Sequence, residues 1–306
     1  MQYGFLSGVL WGIDTVILGV ACGLVPFLGA EQTAVASAFM HDAAAALILL
    51  IFMGVRGRLS DTLAALKTRS GRVVMLAALL GGPLGMSGYL VAINNIGAGY
   101  TAAISAFYPA VGALLASIFL KERMQLRQVI ALLIALCGVV AMGWTSTSAA
   151  TPGNPIVGIL GALLCVFGWG SEAVILAWGM QDDLVDNETA LQIRETTSAL
   201  AYGLVLVPLS HALGLVGQAM FAPANLVLIT AALAGTVSYL FYYKGIDAIG
   251  ASRCMALNIS YSAWAVIFGI FVGSFPGPVE IICCAVIIVG TVLSATPDWS
   301  ELKLSR

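Results

Sequence analysis

The chain has 306 residues, 60% of them hydrophobic and only 9% charged, with a mean hydropathy of +1.00. A soluble domain carries about 25% charged residues, so this composition excludes a water-covered globular domain and a disordered chain. Thirteen Lys+Arg against fifteen Asp+Glu give a net charge of −2, which leaves no basic field for nucleic acid. An integral membrane protein embedded in the lipid bilayer is expected.

A helix needs about 20 apolar residues to cross the hydrocarbon core, and its backbone groups must be satisfied internally. Ten apolar spans meet this in chain order: about 4–25, 33–53, 73–93, 98–119, 126–144, 156–178, 189–209, 224–243, 251–272 and 278–295. Their runs are continuous, as in Val129 to Trp144 and Ile281 to Ala295. A transmembrane barrel would instead alternate over short segments. The fold class expected is all-α integral membrane, with ten transmembrane helices. Met1-Gln2-Tyr3-Gly4 carries no Lys or Arg, so the first run reads as a retained helix rather than a signal peptide.

The connections are short and marked by Pro, Gly or charge: Pro26, Arg56 to Arg72, Asn94 to Gly97, Lys121-Glu122-Arg123, Thr145 to Pro155, Asp182-Asp183, Pro208 to Pro223, Lys244 to Gly250 and Ser274 to Pro278. None is long enough for a soluble domain. With both termini inside, Arg56, Arg58, Lys67, Arg69, Arg72, Lys121, Arg123, Arg127, Lys244, Arg253, Lys303 and Arg306 all fall on the cytoplasmic side. Arg194, inside span seven, is the remaining cation. The positive-inside rule is obeyed throughout, and a multi-pass protein of the cytoplasmic (inner) membrane is expected. Cys22, Cys137, Cys165, Cys254, Cys283 and Cys284 all lie in apolar runs without ligand spacing. They read as small buried residues, not disulfides or metal ligands.

The sequence repeats itself. Trp11-Gly12-Ile13-Asp14-Thr15-Val16-Ile17-Leu18 recurs as Trp169-Gly170-Ser171-Glu172-Ala173-Val174-Ile175-Leu176, 158 residues on. His41-Asp42 pairs with Arg194-Glu195 at an offset of 153. Tyr89, Gly97-Ala98, Ala103 and Tyr108 pair with Tyr242, Gly250-Ala251, Ala256 and Tyr261 at the same offset. The expected halves are 1–150 and 151–306, each of five helices. An odd number of crossings puts the second half in upside down, and inverted repeats are a signature of secondary transporters working by alternating access.

Ten helices in two halves, with Tyr108-Pro109 and then Phe119-Leu120-Lys121-Glu122-Arg123 closing span four, resemble the drug/metabolite transporter (DMT) superfamily, in its EamA-type branch. The second half departs from that pattern, with Tyr261-Ser262-Ala263 and no closing proline or glutamate. The resemblance implies a cavity lined by helices one, three and four of the first half and six, eight and nine of the second.

An ionisable residue in mid-membrane costs about 2.5–3.5 kcal/mol even on the lenient insertion scale, and points to function. Asp14 and Glu172 are such residues, each following Trp-Gly. Their alternative is a structural pairing with a buried Arg or hydroxyl. Trp11, Trp169, Tyr89, Tyr242 and Tyr261 fall where a cavity would be, and aromatic faces hold quaternary ammonium groups. Asn258 is a polar amide in span nine needing a partner or a ligand. His41, Asp42 and Glu195 are proton-coupling candidates, with His41 as the titrating member; against this, Arg194 simply neutralises its acidic neighbours.

These residues point to a secondary transporter of a small organic cation, choline-like or another quaternary ammonium or amine. The alternative is a proton-coupled exporter of amino acids or neutral metabolites. No Gly-x4-Gly-Lys-[Ser/Thr] loop and no His-Glu-x-x-His occurs, so neither that mode of ATP binding nor a metalloprotease is expected. No enzyme activity, cofactor or metal is anticipated; direction of transport and oligomeric state are left open.

Overall fold

Each helix starts or stops where the sequence supplies a cap or a breaker. The computed structural model describes residues 1–145, 153–181 and 185–299, and is helical with no strand among them. Asp182, Asp183, Lys303, Arg306 and most of the 145–155 connection lie outside the described residues. Helix α1 (Gln2–Cys22) stops at Gly23, ahead of Pro26. Helix α2 (Thr33–Val55) ends at Arg56, before Gly57 turns the chain at φ 68°. Thr68 opens α3 (Arg69–Ile96) by accepting the Gly71 N–H, a normal N-cap. Next come α4 (Tyr100–Phe119) and α5 (Leu126–Trp144). Helix α6 (Pro155–Gly179) is capped by Asn154 with proline in its first turn. Asp186 caps α7 (Asn187–Ala201), and helical structure continues to Leu209. The last three are α8 (Pro223–Ile249), α9 (Ala251–Val272) and α10 (Pro278–Ala295).

All of these except α7 are long and apolar enough to cross a membrane, which makes nine among the described residues. Helix α7 is the polar one because it carries Gln192, Arg194 and Glu195, and all three are buried. Its polar face therefore turns into the protein.

Two expected spans are interrupted rather than smooth. Helix α4 breaks at Ala106-Phe107, and α9 at Ile259-Ser260. Span three is also longer than expected, starting at Arg69, whose guanidinium lies 4.2 Å from the Trp178 ring centroid. Both wide π turns adjoin a proline: Leu80–Gly85 contains Pro83, and Tyr202–Leu206 precedes Pro208. Proline lacks an N–H and crowds the carbonyl four residues back, so the helix widens locally.

The packing is crosswise: α1 on α8, α6 on α3, α2 on α7, α4 on α9 and α5 on α10. Small residues permit the close crossings. A Cβ on Gly88 would lie 2.6 Å from the Gly161 carbonyl oxygen, and one on Gly161 would lie 2.7 Å from that of Gly88, so α3 and α6 touch backbone to backbone. At the arginine-bearing end, the α2–α3 connection with Arg56 and Arg58 meets the start of α7, and Glu122 after α4 meets the start of α9; elsewhere Phe27 of the α1–α2 connection shares a buried cluster with Ala212 and Ala219 between α7 and α8.

Candidate functional site

The helical period sets the site. Ser7, Trp11, Asp14 and Leu18 are spaced four, three and four residues apart on α1, and all line a central cavity of about 500 Å³. That spacing is one face of a helix. The same arithmetic brings Met86, Tyr89, Leu90 and Ile93 from α3, Trp169, Glu172, Ala173 and Leu176 from α6, and Ser238, Tyr239 and Tyr242 from α8. Helix α2 contributes His41 and Asp42, α7 contributes Arg194, and α9 contributes Asn258 and Tyr261. The cavity extends to the α1–α2 connection, where Ala30, Glu31, Thr33 and Ala34 line it.

The charged groups form one continuous chain across four helices. Asp14 Oδ1 lies 3.0 Å from His41 Nε2, and His41 Nδ1 lies 3.4 Å from Asp42 Oδ1. Asp42 Oδ2 accepts from Ser198 Oγ at 2.6 Å and lies 3.8 Å from Arg194 Nη1. Arg194 in turn donates to Glu172 at 3.0 Å, Glu195 at 3.0 Å and the Tyr239 hydroxyl at 3.1 Å. Its guanidinium carbon sits 4.6 Å from the Tyr239 ring centroid. The Arg194 side chain is 7% exposed and that of Asp14 only 3%, so these charges meet away from bulk water, where unpaired charge is costly. Four carboxylates share one guanidinium and one imidazole; the cluster is net acidic.

Aromatic rings form the adjoining part of the wall. Trp11 meets Tyr239 edge-on at 4.9 Å, Tyr89 stacks on Trp169 at 5.6 Å, and Tyr108 meets Trp169 edge-on at 5.8 Å. Asn258 has partners of its own: Tyr108 donates to its Oδ1 at 3.1 Å, and its Nδ2 donates to Ser7 Oγ at 2.7 Å. Gly81 and Gly82, in the first π turn, bring the α3 backbone up to this wall. A Cβ on Gly81 would lie 1.7 Å from Glu172 Oε2, so only glycine fits there.

Of the sequence-derived candidates, Trp11, Asp14, Trp169, Glu172, Tyr89, Tyr242, Tyr261, Asn258, His41 and Asp42 all line this one cavity. Glu195 sits behind Arg194 and does not line it, and its Oε2 has no hydrogen-bond partner among the described residues. Asp14 and Glu172 do not touch each other: each has its own internal partner, His41 for the first and Arg194 for the second. Ser7, Tyr202 and Tyr239 line the cavity without having been singled out. Tyr239 was legible, since it precedes Tyr242 by three residues on the same helical face.

Two sets of contacts join helix ends at the arginine-bearing end. Arg58 bonds to Asp61, Asp186 and Glu188, and Arg56 bonds to Glu188 at 2.6 Å. Burial alone would raise the Asp186 carboxyl, but the Thr189 N–H and the Arg58 guanidinium outweigh it and hold its pKa below the ordinary value. In the second contact, Lys121 takes a left-handed φ of 58° after α4, and the chain turns so that Glu122 accepts from the N–H groups of Ala251 and Ser252 at 2.8 and 2.9 Å.

Residues 1–144 match the EamA-like transporter family. That match, with nine helices among the described residues long and apolar enough to cross a membrane, is consistent with the DMT resemblance and with a multi-pass membrane transporter of small molecules. Protein LicB of Haemophilus influenzae is 27% identical to this EamA-like chain over 227 residues, 72% of this chain and 73% of that protein. A solved structure described as "Crystal structure of protein" superposes with a TM-score of 0.72 at 18% identity, covering 99% of this chain and 98% of that one. That likeness shows a fold shared over the whole chain, including the second half.

Proposed function

We propose that this chain is a secondary transporter, not an enzyme, that moves a small organic cation across the cytoplasmic membrane by alternating access. The cation is choline-like or another quaternary ammonium or amine. The carrying observation is the lining of one cavity by Asp14, Asp42 and Glu172 against a single guanidinium, with Trp11, Trp169, Tyr108 and Tyr239 beside them. A net acidic, partly desolvated wall favours a cation, and ring faces add attraction that needs no hydrogen bond. Arg194 over Tyr239 is the chain's own example of a cation held this way.

In this reading the protein comprises ten membrane helices in two inverted repeats, 1–150 and 151–306, with α7 as the seventh crossing and the arginine-bearing end in the cytoplasm. Its support is threefold. Gly97 (φ 83°, ψ 162°) and Gly250 (φ 86°, ψ 160°) share a backbone conformation that essentially only glycine adopts. The crosswise helix pairs exchange among themselves when each helix number is shifted by five. A Trp–Tyr contact joins α1 to α8 (Trp11–Tyr239) and another joins α6 to α3 (Trp169–Tyr89), the two tryptophans being repeat partners. The cavity then faces outward, and the Arg58 and Glu122 contacts seal the cytoplasmic side. Substrate binding falls to Trp11, Asp14, Tyr89, Trp169, Glu172, Tyr242, Asn258 and Tyr261, with protons reaching His41, Asp42 and Glu195.

Thermal unfolding of the purified protein with a panel of quaternary ammonium compounds, amines, amino acids and neutral metabolites tests this. A ligand at 100 times its dissociation constant adds about 2.7 kcal/mol to the native state. Quaternary ammonium compounds are expected to stabilise the wild type and to lose that effect in Trp11→Ala. Stabilisation by amino acids or neutral metabolites alone would favour the proton-coupled exporter instead.

A further inference from the structure

The outer mouth of the cavity holds one charged side chain, Glu31, in the α1–α2 connection. It is exposed, and it has no ion pair or hydrogen bond among the described residues. Four acids at the other end are differently placed: Asp61, Asp186, Glu188 and Glu122 are each tied to arginine or to backbone N–H groups. The segment bearing Glu31 is itself anchored. Phe27 is 1% exposed, and its carbonyl accepts from the Thr33 hydroxyl at 2.5 Å and the Ala30 N–H at 3.1 Å. The described connections at this end, 22–33, 96–98, 210–223 and 273–278, contain no Lys or Arg. Among the described residues, no Lys or Arg in these connections competes for the Glu31 carboxylate.

Resting on the cation reading above, we propose that Glu31 is a specificity-determining residue that selects cargo by charge before it reaches the aromatic wall. A fixed charge at the rim of a low-dielectric cleft focuses the field along the cleft axis and raises the local concentration of the opposite ion. Glu31 thus acts on the approach of cargo and leaves the bound state alone. With an effective dielectric between about 40 and 80 and a separation of about 8 Å, Coulomb's law gives about a two- to sixfold gain in the rate of approach at low ionic strength. The gain shrinks as salt rises, because the Debye length falls to about 3 Å at 1 M.

The test is initial-rate uptake into proteoliposomes of labelled choline and of its uncharged isostere 3,3-dimethylbutan-1-ol. Wild type, Glu31→Gln and Glu280→Gln are compared at low and at high salt. Glu280 lies at the same end of the chain but caps the α10 N-terminus through the Gly277 N–H and does not line the cavity. The expected result is a two- to sixfold lower kcat/KM for choline in Glu31→Gln, with kcat unchanged, the difference closing at high salt. Uptake of the neutral isostere and the Glu280→Gln variant stay at wild-type values. Equal losses for both probes, a loss indifferent to salt, or wild-type choline kinetics in Glu31→Gln would each overturn the role of Glu31. Wild-type protein that does not prefer choline to the isostere would overturn the cation reading itself, which is a separate failure.

Discussion

Arg194→Leu is the most informative single change, because one guanidinium holds the charged cluster together. Its side chain is 7% exposed and donates at 3.0 Å to both Glu172 and Glu195. Hydrogen bonds to charged groups are each worth about 1.5–3 kcal/mol, so these two together give about 3–6 kcal/mol. Breaking a buried pair by deleting one partner costs about 3–5 kcal/mol, and the two routes agree. We expect Arg194→Leu to lose about 3–5 kcal/mol in reversible denaturant unfolding in mixed micelles. The triple variant Arg194→Leu, Glu172→Gln, Glu195→Gln is expected to regain at least half of that, since removing both partners of a pair is close to neutral. A single variant within about 0.5 kcal/mol of wild type, the range of ordinary surface substitutions, would refute the reasoning. So would a triple variant no more stable than the single one.

The other predictions concern packing and the closed end. Gly161→Ala should destabilise the protein by about 1–3 kcal/mol, the usual cost of overpacking, because its Cβ would press on the Gly88 carbonyl; Gly19→Ala, with nothing within 4 Å, should not, and thermal unfolding of the two compares them directly. Glu122→Gln should weaken both backbone contacts at Ala251 and Ser252 and speed maleimide labelling of the buried Cys254 nearby; unchanged labelling contradicts the closure. Asp186 has a folded pKa below its unfolded value, so its stabilising contribution is present above about pH 4 and disappears as pH falls through the folded value. The stability difference between wild type and Asp186→Asn should therefore be seen at pH 7 and vanish in acid; for so exposed a pair it stays under about 1 kcal/mol.

Much of this architecture could be read from the sequence because lipid leaves a helix few alternatives. Continuous apolar runs gave nine helices that meet the membrane criterion at nearly the expected boundaries. Even the polar α7 was expected as a helix, from the apolar residues around Arg194-Glu195. The breaks at Ala106-Phe107 and Ile259-Ser260 were not expected: Pro109, in the first turn after the former, was read only as a family motif, and no Pro or Gly adjoins the latter. They depend on how α4 and α9 pack on each other. The cavity residues were largely legible through the matched Trp-Gly-x-acid segments. Their partners were not. Whether Arg194 serves Glu172, Glu195 or Asp182 depends on the rotation of α7 about its axis, which sequence spacing leaves free. The same holds for His41, which meets Asp14 on α1 as well as its neighbour Asp42. Sequence symmetry suggested equivalent acids; in the structure one faces an imidazole and the other a guanidinium.

The central claim is that the cavity moves an organic cation. Proteoliposome uptake of labelled tetramethylammonium, in competition with other quaternary ammonium compounds, amino acids and neutral metabolites, tests it most directly. The account predicts saturable uptake that quaternary ammonium compounds inhibit and that Trp11→Ala or Trp169→Ala abolishes. Absence of tetramethylammonium uptake by wild-type protein that transports an amino acid or a neutral metabolite would contradict it.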